Sequence, residues 1–263
     1  MLTRRRLDAE LVRRKLVESR TEAQRAIKAG LVRVASHTDA KASTLVAPDD
    51  PVHLISRPEP FVSRAGRKLA AAFEAFDIEL EGMRAIDVGA STGGFTDCML
   101  QRGVRSVTAL DVGYGQLHWR IRNDARVTVV ERANIRTADP AELGAPFDVI
   151  VADLSFISLR TVSEQLVALG SEEARWILLI KPQFEAGRNR VPRGGVIKDV
   201  SVRLDVLAQV VATYTAAEIG CVGLIESPIT GATGNVEYLA TFLRGRGTVT
   251  SNTIKAALDR TLQ

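Results

Sequence analysis

Asp87-Val88-Gly89-Ala90-Ser91-Thr92-Gly93-Gly94-Phe95 follows directly on the apolar run that begins Ala85-Ile86 and opens a helix-period stretch. A strand that exits through closely spaced glycines into a helix brings backbone amides near a ligand. Glycine admits close approach, and the helix N-terminus presents amides without intrahelical partners. The spacing G-x-x-x-G-G is not the G-x-G-x-x-G of a dinucleotide fold. Without a following Lys-Ser/Thr it is not a P-loop either. Gly89, Ala90, Ser91, Gly93, Gly94 and Phe95 are therefore candidate ligand-turn residues.

The same alternation continues outward from this turn. Short apolar runs at 85–88, 107–110, 127–130, 149–152 and 176–180 alternate with helix-period stretches from Arg64 onward, the pattern of a parallel sheet covered by helices. Runs at 222–225 and 236–243, separated by the turn-rich SPITGATGN, are expected to pair as an antiparallel hairpin at the sheet edge. The fold class is α/β and Rossmann-like with a mixed seven-stranded sheet. Periodicity alone allows a dehydrogenase as readily as a methyltransferase.

Ligands of open α/β sheets sit outside the carboxyl ends of the strands, so residues at those ends carry the functional reading. Asp111 ends the second run, where its carboxylate could accept hydrogen bonds from both hydroxyls of an adenosine ribose. Asn134 follows the third and could stand beside the adenine. Four ionisable residues could converge on one pocket. Lys68 lies in the helical stretch SRAGRKLAAAFEAF, Asp153 ends the fourth run, Lys181 ends the fifth and Glu237 begins the last. Two amines and two carboxylates in one pocket suit removal of a proton from a weak nucleophile. A lysine takes that proton where burial or a second cation disfavours its ammonium form. Lys181 is the expected base or hydroxyl activator and Lys68 its electrostatic partner. The plainer alternative is two Lys-carboxylate salt bridges.

Charge separates the N-terminal region from the rest. The formal net charge of the 263-residue chain is +4, yet residues 1–33 hold ten Lys or Arg against four Asp or Glu, so the remainder is slightly acidic. A local positive face suits a phosphate backbone, and a solvated helix surface reads equally well. Leu7, Leu11, Val12 and Leu16 recur at helical spacing, Ser19 and Glu22 have capping-box spacing before a second helix, and Gly30 ends it. Leu31, Val32 and Val34 then read as a strand. A segment with Pro48, Pro51, Pro58 and Pro60 has the composition of turns and a linker, which puts a domain boundary near residues 57–62.

Cys98 and Cys221 are far apart, so neither a disulfide framework nor a zinc spacing is present, and no metal is expected. With no apolar segment of spanning length and no export signal, a cytoplasmic location is expected.

RLDAELVRRKLVESRTEAQRAIKAGLVRV (6–34) resembles the alpha-L RNA-binding module named after the small-subunit ribosomal protein S-four, over roughly residues 4–56. Lys15 stands where that module usually has Gly, and Ala35-Ser36 replaces its common Asn-Gly turn. The resemblance implies a small α+β RNA-binding domain, with Arg5, Arg6, Arg13, Arg14, Arg20 and Arg25 as candidates for phosphate contact. The strings VSRAGRKL, DVGASTGGFTD, DVGYGQL, VADLSFISL, LIKPQFE, GGVIKD and GNVEY resemble, in order, those of the TlyA family, whose catalytic domain is similar to FtsJ-type methyltransferases. That resemblance implies S-adenosyl-L-methionine as cofactor, ribosomal RNA as partner and 2′-O-methylation of a cytidine ribose. It also implies a Lys-Asp-Lys-Glu tetrad at Lys68, Asp153, Lys181 and Glu237. The expected division is 1–58 for the RNA-binding domain, 59–62 for the linker and 63–263 for the methyltransferase domain. EPFV at 59–62 departs from the more basic family linker. Asp153-Leu154-Ser155-Phe156 differs from the Asn/Asp-Pro-Pro-aromatic motif of amino-nitrogen methyltransferases. Neither cysteine lies at a strand end, as carbon-directed cytosine enzymes require. Phe156 and Phe184 could stack on a base or pack in the core. A non-catalytic RNA-binding protein, and the membrane-lytic role implied by the haemolysin name of some family members, are the competing readings.

Overall fold

A computed structural model describes residues 4–34, 40–55, 59–245 and 247–259. The Ala35-Ser36 turn and Pro58 lie outside the described residues. Contacts divide the chain into two compact units, Met1–Pro60 and Phe61–Gln263.

The first unit runs β1 (Arg5–Arg6), α1 (Leu7–Arg13), α2 (Arg20–Lys28), β2 (Val32–Val34), β3 (Leu45–Val46) and β4 (Val52–Leu54). Strands β1 and β3 pair antiparallel, as do β2 and β4, and Leu7, Leu11, Val17, Ala23, Val34, Val46 and Val52 form the core. The Ser19 hydroxyl accepts from the Glu22 amide at 3.2 Å, and Glu22 in turn accepts from the Glu18 amide at 2.7 Å. This is a capping box whose return bond lands one residue before the cap.

Helix α1 stops at Arg13, short of the Leu16 that the spacing predicts. Lys15 turns the chain with φ 57°, and Leu16 donates its amide to the Leu11 carbonyl at 3.0 Å. Helix α2 closes the same way, with Gly30 at φ 69° and the Leu31 amide on the Ala26 carbonyl at 2.9 Å. Both ends are left-handed terminations, and a lysine occupies one of them against the steric preference of its Cβ. Lys15→Gly is therefore expected to stabilise the first unit by about 1 kcal/mol. Slower amide exchange in α1 and α2 of the full chain would register the gain, and unchanged exchange would refute it.

The second unit contains α3 (Ala65–Ala75), β5 (Arg84–Val88), α4 (Gly94–Leu100), β6 (Ser106–Asp111), α5 (Trp119–Arg122), β7 (Val127–Glu131), β8 (Phe147–Ala152), α6 (Ser163–Ala168), β9 (Gly170–Ile180), α7 (Pro182–Glu185), α8 (Val200–Ala216), β10 (Ile219–Glu226), β11 (Tyr238–Arg244) and α9 (Ser251–Asp259). The seven strands lie in the order β10-β11-β9-β8-β5-β6-β7. Pairing is parallel among β9, β8, β5, β6 and β7, and antiparallel where β11 meets β9 and β10. The expected antiparallel hairpin forms, but β11 is inserted between β9 and β10, so only β10 is at the edge.

Both faces of the sheet are covered, and neighbouring residues of one strand feed opposite cores. Ile86, Ile150, Leu178 and Ala240 pack with Val206, Leu207, Val210 and Tyr214 of α8 on one face. Ala85, Val151, Leu179 and Leu239 pack with Leu69 and Phe73 of α3 and Met99 of α4 on the other. Covering both faces is why the strands read as continuous apolar runs instead of alternating ones.

Candidate active site

The α3 face decides where the charged residues converge. Side chains alternate faces along a strand, so Asp153, Lys181 and Glu237 carry forward the parity of Val151, Leu179 and Leu239, which all pack on the α3 side. Register pairs Tyr238 with Ile180, which brings the start of β11 alongside the end of β9. Lys68 lies four residues before the buried Ala72 of α3 and shares its helical face.

Lys68, Asp153, Lys181 and Glu237 line one cavity of about 610 Å³, together with Ser63, Ser155, Phe156, Gln183, Phe184 and Thr233. The four charges resolve into two ion pairs. Lys68 binds Glu237, with side-chain exposures of 7% and 3%, so the pair is largely buried and meets solvent only through the cavity. Lys181 Nζ lies 2.5 Å from Asp153 Oδ1 as an ion pair without hydrogen-bond alignment, while its aligned bond goes to Ser155 Oγ at 3.0 Å. Each amine thus has its own carboxylate, which offsets the cation–cation repulsion expected from sequence.

A second cavity of about 340 Å³ lies at the ends of β5, β6 and β8. Gly89, Ser91, Asp111 and Asn134 are on its wall, with Leu110, Val112, Gln116, Ile135, Leu154 and Ile157. Ser91, Asp153, Ser155 and Phe156 belong to both walls, so the cavities abut. Gly89 has φ 89°, and a Cβ there would stand 2.7 Å from the Asp153 carbonyl oxygen, so only glycine lets the two strand ends approach this closely. Asp111 accepts from the Ser91 amide at 2.8 Å and the Gly113 amide at 2.7 Å, one on each oxygen. Each oxygen keeps a second lone-pair site. The Asn134 side chain accepts from the Arg136 amide at 3.0 Å.

Four of the candidate turn residues are framework and not wall. The Phe95 side chain is buried in the α3-side core, Gly93 supplies the left-handed N-cap of α4, and Ala90 and Gly94 are buried off this cavity. A residue directly after a glycine turn is drawn into the helix–sheet contact when the helix starts there, which is why Phe95 points inward. Behind the turn, Asp87 is fully buried and accepts from the Thr96 amide and hydroxyl at 2.9 and 2.6 Å. Burial pushes its carboxyl up to about 7, against the pull of Thr96.

Sequence reading missed the apolar wall of Val112, Ile135, Leu154 and Ile157, and it missed Ser155. An apolar residue directly beside each strand-end polar group was the available signal for Val112 and Ile135. Phe156 does not pack in the core: it is 90% exposed, and its ring lies 5.2 Å from that of Phe184. Burial pushes both thiols up to about 12, and neither Cys98 nor Cys221 is on either cavity wall. Among the described residues no cluster could hold a metal, and no helix is long and apolar enough to cross a membrane.

In the first unit the six candidate arginines divide. Arg6 and Arg20 pair with Asp8, and Arg13 and Arg14 pair with Glu10, both carboxylates being fully buried. The Arg13 and Arg14 guanidiniums hold the Glu10 carboxyl down at about 2, with Arg13 the larger cause, against the opposing effect of burial. Arg14 also donates to the carbonyls of Ala47, Pro48 and Asp50. That engagement closes the β3–β4 turn and leaves less of the Arg14 guanidinium for a phosphate than Arg6, Arg13 or Arg20 has. Arg6, Arg13 and Arg20 remain about half exposed, Arg5 is exposed on β1, and the buried Arg25 Nε has no hydrogen-bond partner among the described residues.

Comparison with known proteins agrees with this architecture. The FtsJ-like methyltransferase model matches residues 61–244 and the S4 domain model residues 5–52. The 16S/23S rRNA (cytidine-2′-O)-methyltransferase TlyA of Mycobacterium tuberculosis is 47% identical over 90% of this chain and 89% of its own length. Hemolysin A of Brachyspira hyodysenteriae is 38% identical over 90% and 99%. A hemolysin structure from Streptococcus thermophilus superposes with a TM-score of 0.76 at 34% identity, covering 100% of this chain and 97% of that one. With the sheet order, the paired charges and these matches together, the chain belongs to the FtsJ-like methyltransferase family, among the TlyA-type members that carry an N-terminal S4 domain.

Proposed function

We propose that this protein transfers a methyl group from S-adenosyl-L-methionine to the 2′-hydroxyl of a cytidine ribose in ribosomal RNA, in the cytoplasm where ribosomes are found. Residues 1–58 would bind RNA and 63–263 carry the chemistry, joined by 59–62. The observation that carries the reading is one cavity lined by two Lys-carboxylate pairs and abutting a strand-end cavity with a carboxylate at its rim. The family match and the name of the M. tuberculosis relative favour the same reaction.

The residues present fit the cofactor. Asp111 has lone pairs left for two ribose hydroxyls, Val112 and Ile135 would clasp a flat ring, and Gly89 and Ser91 leave the turn open to the amino-acid end. When bound, S-adenosylmethionine supplies a sulfonium-borne methyl. A ribose hydroxyl is a poor nucleophile near pH 7, so the chain must align it and take its proton as the new O–C bond forms. In this reading Lys181, once it has passed its own ammonium proton to solvent, takes the hydroxyl proton as the free amine, held in place by Asp153 and Ser155. Lys68 and Glu237 orient the hydroxyl from the opposite side, and Phe156 with Phe184 stacks on the base. Arg5, Arg6, Arg13 and Arg20 offer an electrostatic face to the phosphate backbone.

The test incubates purified protein with labelled S-adenosylmethionine and each ribosomal subunit, then maps methylated ribose by mass spectrometry. A single 2′-O-methylcytidine is expected in at least one subunit. Label on a base atom, or cofactor that does not bind, would reject the reading.

A further inference from the structure

The loop after β8 and the helix after β9 are fastened to each other at two places. At the first, Lys181 binds Asp153 and Ser155. At the second, the Glu185 carboxylate, in a residue only 3% exposed, accepts from Ser158 Oγ at 2.5 Å and from the Leu159 amide at 2.7 Å. Arg160 completes this second fastening: its Nε lies 3.5 Å from the Glu185 carboxylate, its Nη2 donates to the Glu185 carbonyl at 2.7 Å, and its Nη1 donates to Gln209 of α8 at 2.8 Å.

Between the two fastenings Phe156 has φ 65°, a conformation that a bulky L-residue adopts only when its surroundings force it. Its ring is 90% exposed, so burial of the ring does not supply that force. The clamps on either side do. Because Asp153 and Ser155 belong to the same short loop, whatever holds Ser158 and Leu159 also sets where those two groups meet Lys181.

We infer that Glu185 is a positioning residue for methyl transfer: its carboxylate ties the 158–160 segment to α7, and this holds Asp153 and Ser155 against Lys181 and keeps Phe156 turned out at the cavity mouth. The inference rests on the methyl-transfer reading above and adds a residue that lines neither cavity.

The experiment compares the full-length wild type with Glu185→Gln, Glu185→Ala and Ser158→Ala. It reads kcat on ribosomal subunits, cofactor affinity by calorimetry, and the fluorine resonance of 4-fluorophenylalanine placed at Phe156. Glu185→Ala should lower kcat about 30-fold or more with cofactor affinity within about threefold, because a misplaced catalytic group costs rate and not cofactor binding. Its fluorine line should move or split. Glu185→Gln keeps an oxygen for the Leu159 amide and sets an NH2 before Ser158, whose hydroxyl can turn to accept from it, so it should retain the wild-type line and a kcat within about fivefold. Should Glu185→Ala fail to fold, Ser158→Ala should shift the line and lower kcat about fivefold. A Glu185→Ala protein with wild-type kcat or an unmoved line would overturn the inference, as would a Glu185→Gln protein as impaired as Glu185→Ala. A wild type that methylates neither subunit would instead sink the parent reading, while the fluorine line would still decide the clamp.

Discussion

Replacing Lys181 by alanine is expected to lower kcat for methyl transfer about 10³-fold while leaving cofactor affinity within about threefold. The size follows from the role: a positioned base contributes about 10² to 10⁴ in rate, and an alanine leaves the hydroxyl proton without an acceptor at that place. The sparing of the cofactor follows from geometry, since Lys181 lines the larger cavity and not the smaller one. Arginine makes the sharper test. Lys181→Arg keeps the positive charge beside Asp153 but cannot give up its proton near neutral pH. If Lys181 takes the proton, the arginine variant should be as slow as the alanine one. If only its charge matters, the arginine variant should recover much of the rate. Single-turnover kinetics with purified subunits separates these outcomes from a change in RNA binding, and an alanine variant within about tenfold of wild type would remove the proposed base.

Much of the catalytic unit was legible because its strands carry their signal locally. A strand buried on both faces reads as an unbroken apolar run, and the residue that ends the run falls at the edge where ligands bind. That logic alone found Asp111, Asp153 and Lys181. It did not give strand order: two runs joined by a turn pair in the same way whether the second lies outside the first or is inserted beside β9. The discriminating feature was present in β11, where Tyr238 to Phe242 are all buried, whereas β10 is only partly buried toward its end. Partner choice within the tetrad was not legible either. Backbone register sets Glu237 beside Lys181, yet Glu237 pairs with Lys68 because α3 lies over that face. Ser155 and Glu185 were invisible for a related reason: their partners are on another loop, and no periodicity records a contact between two strand-end loops. Lys15, by contrast, was singled out by the family resemblance, as a lysine where the module usually has glycine, and the structure gives it the left-handed conformation.

The Lys68–Glu237 pair should have the largest effect on stability, and the effect should depend on whether one charge or both are removed. Lys68→Met leaves the Glu237 carboxylate buried in a residue 3% exposed with its cation gone, and stranding one member of a buried pair costs about 3–5 kcal/mol. Glu237→Leu strands the ammonium and should cost a similar amount. The double variant Lys68→Met/Glu237→Leu strands nothing. It replaces two desolvated charges with apolar side chains of comparable length, a change that is often neutral or stabilising, so most of the loss should return. Urea denaturation of the four proteins gives the coupling energy directly, and the neighbours that do not move cancel in the cycle. Activity should not follow stability. If the pair orients the ribose hydroxyl, the double variant should be stable and inactive, with cofactor binding intact because neither residue lines the smaller cavity. A double variant as unstable as the singles would mean that the pair itself holds the fold. A stable double variant with near-normal turnover would leave Lys181 and Asp153 to perform the reaction alone.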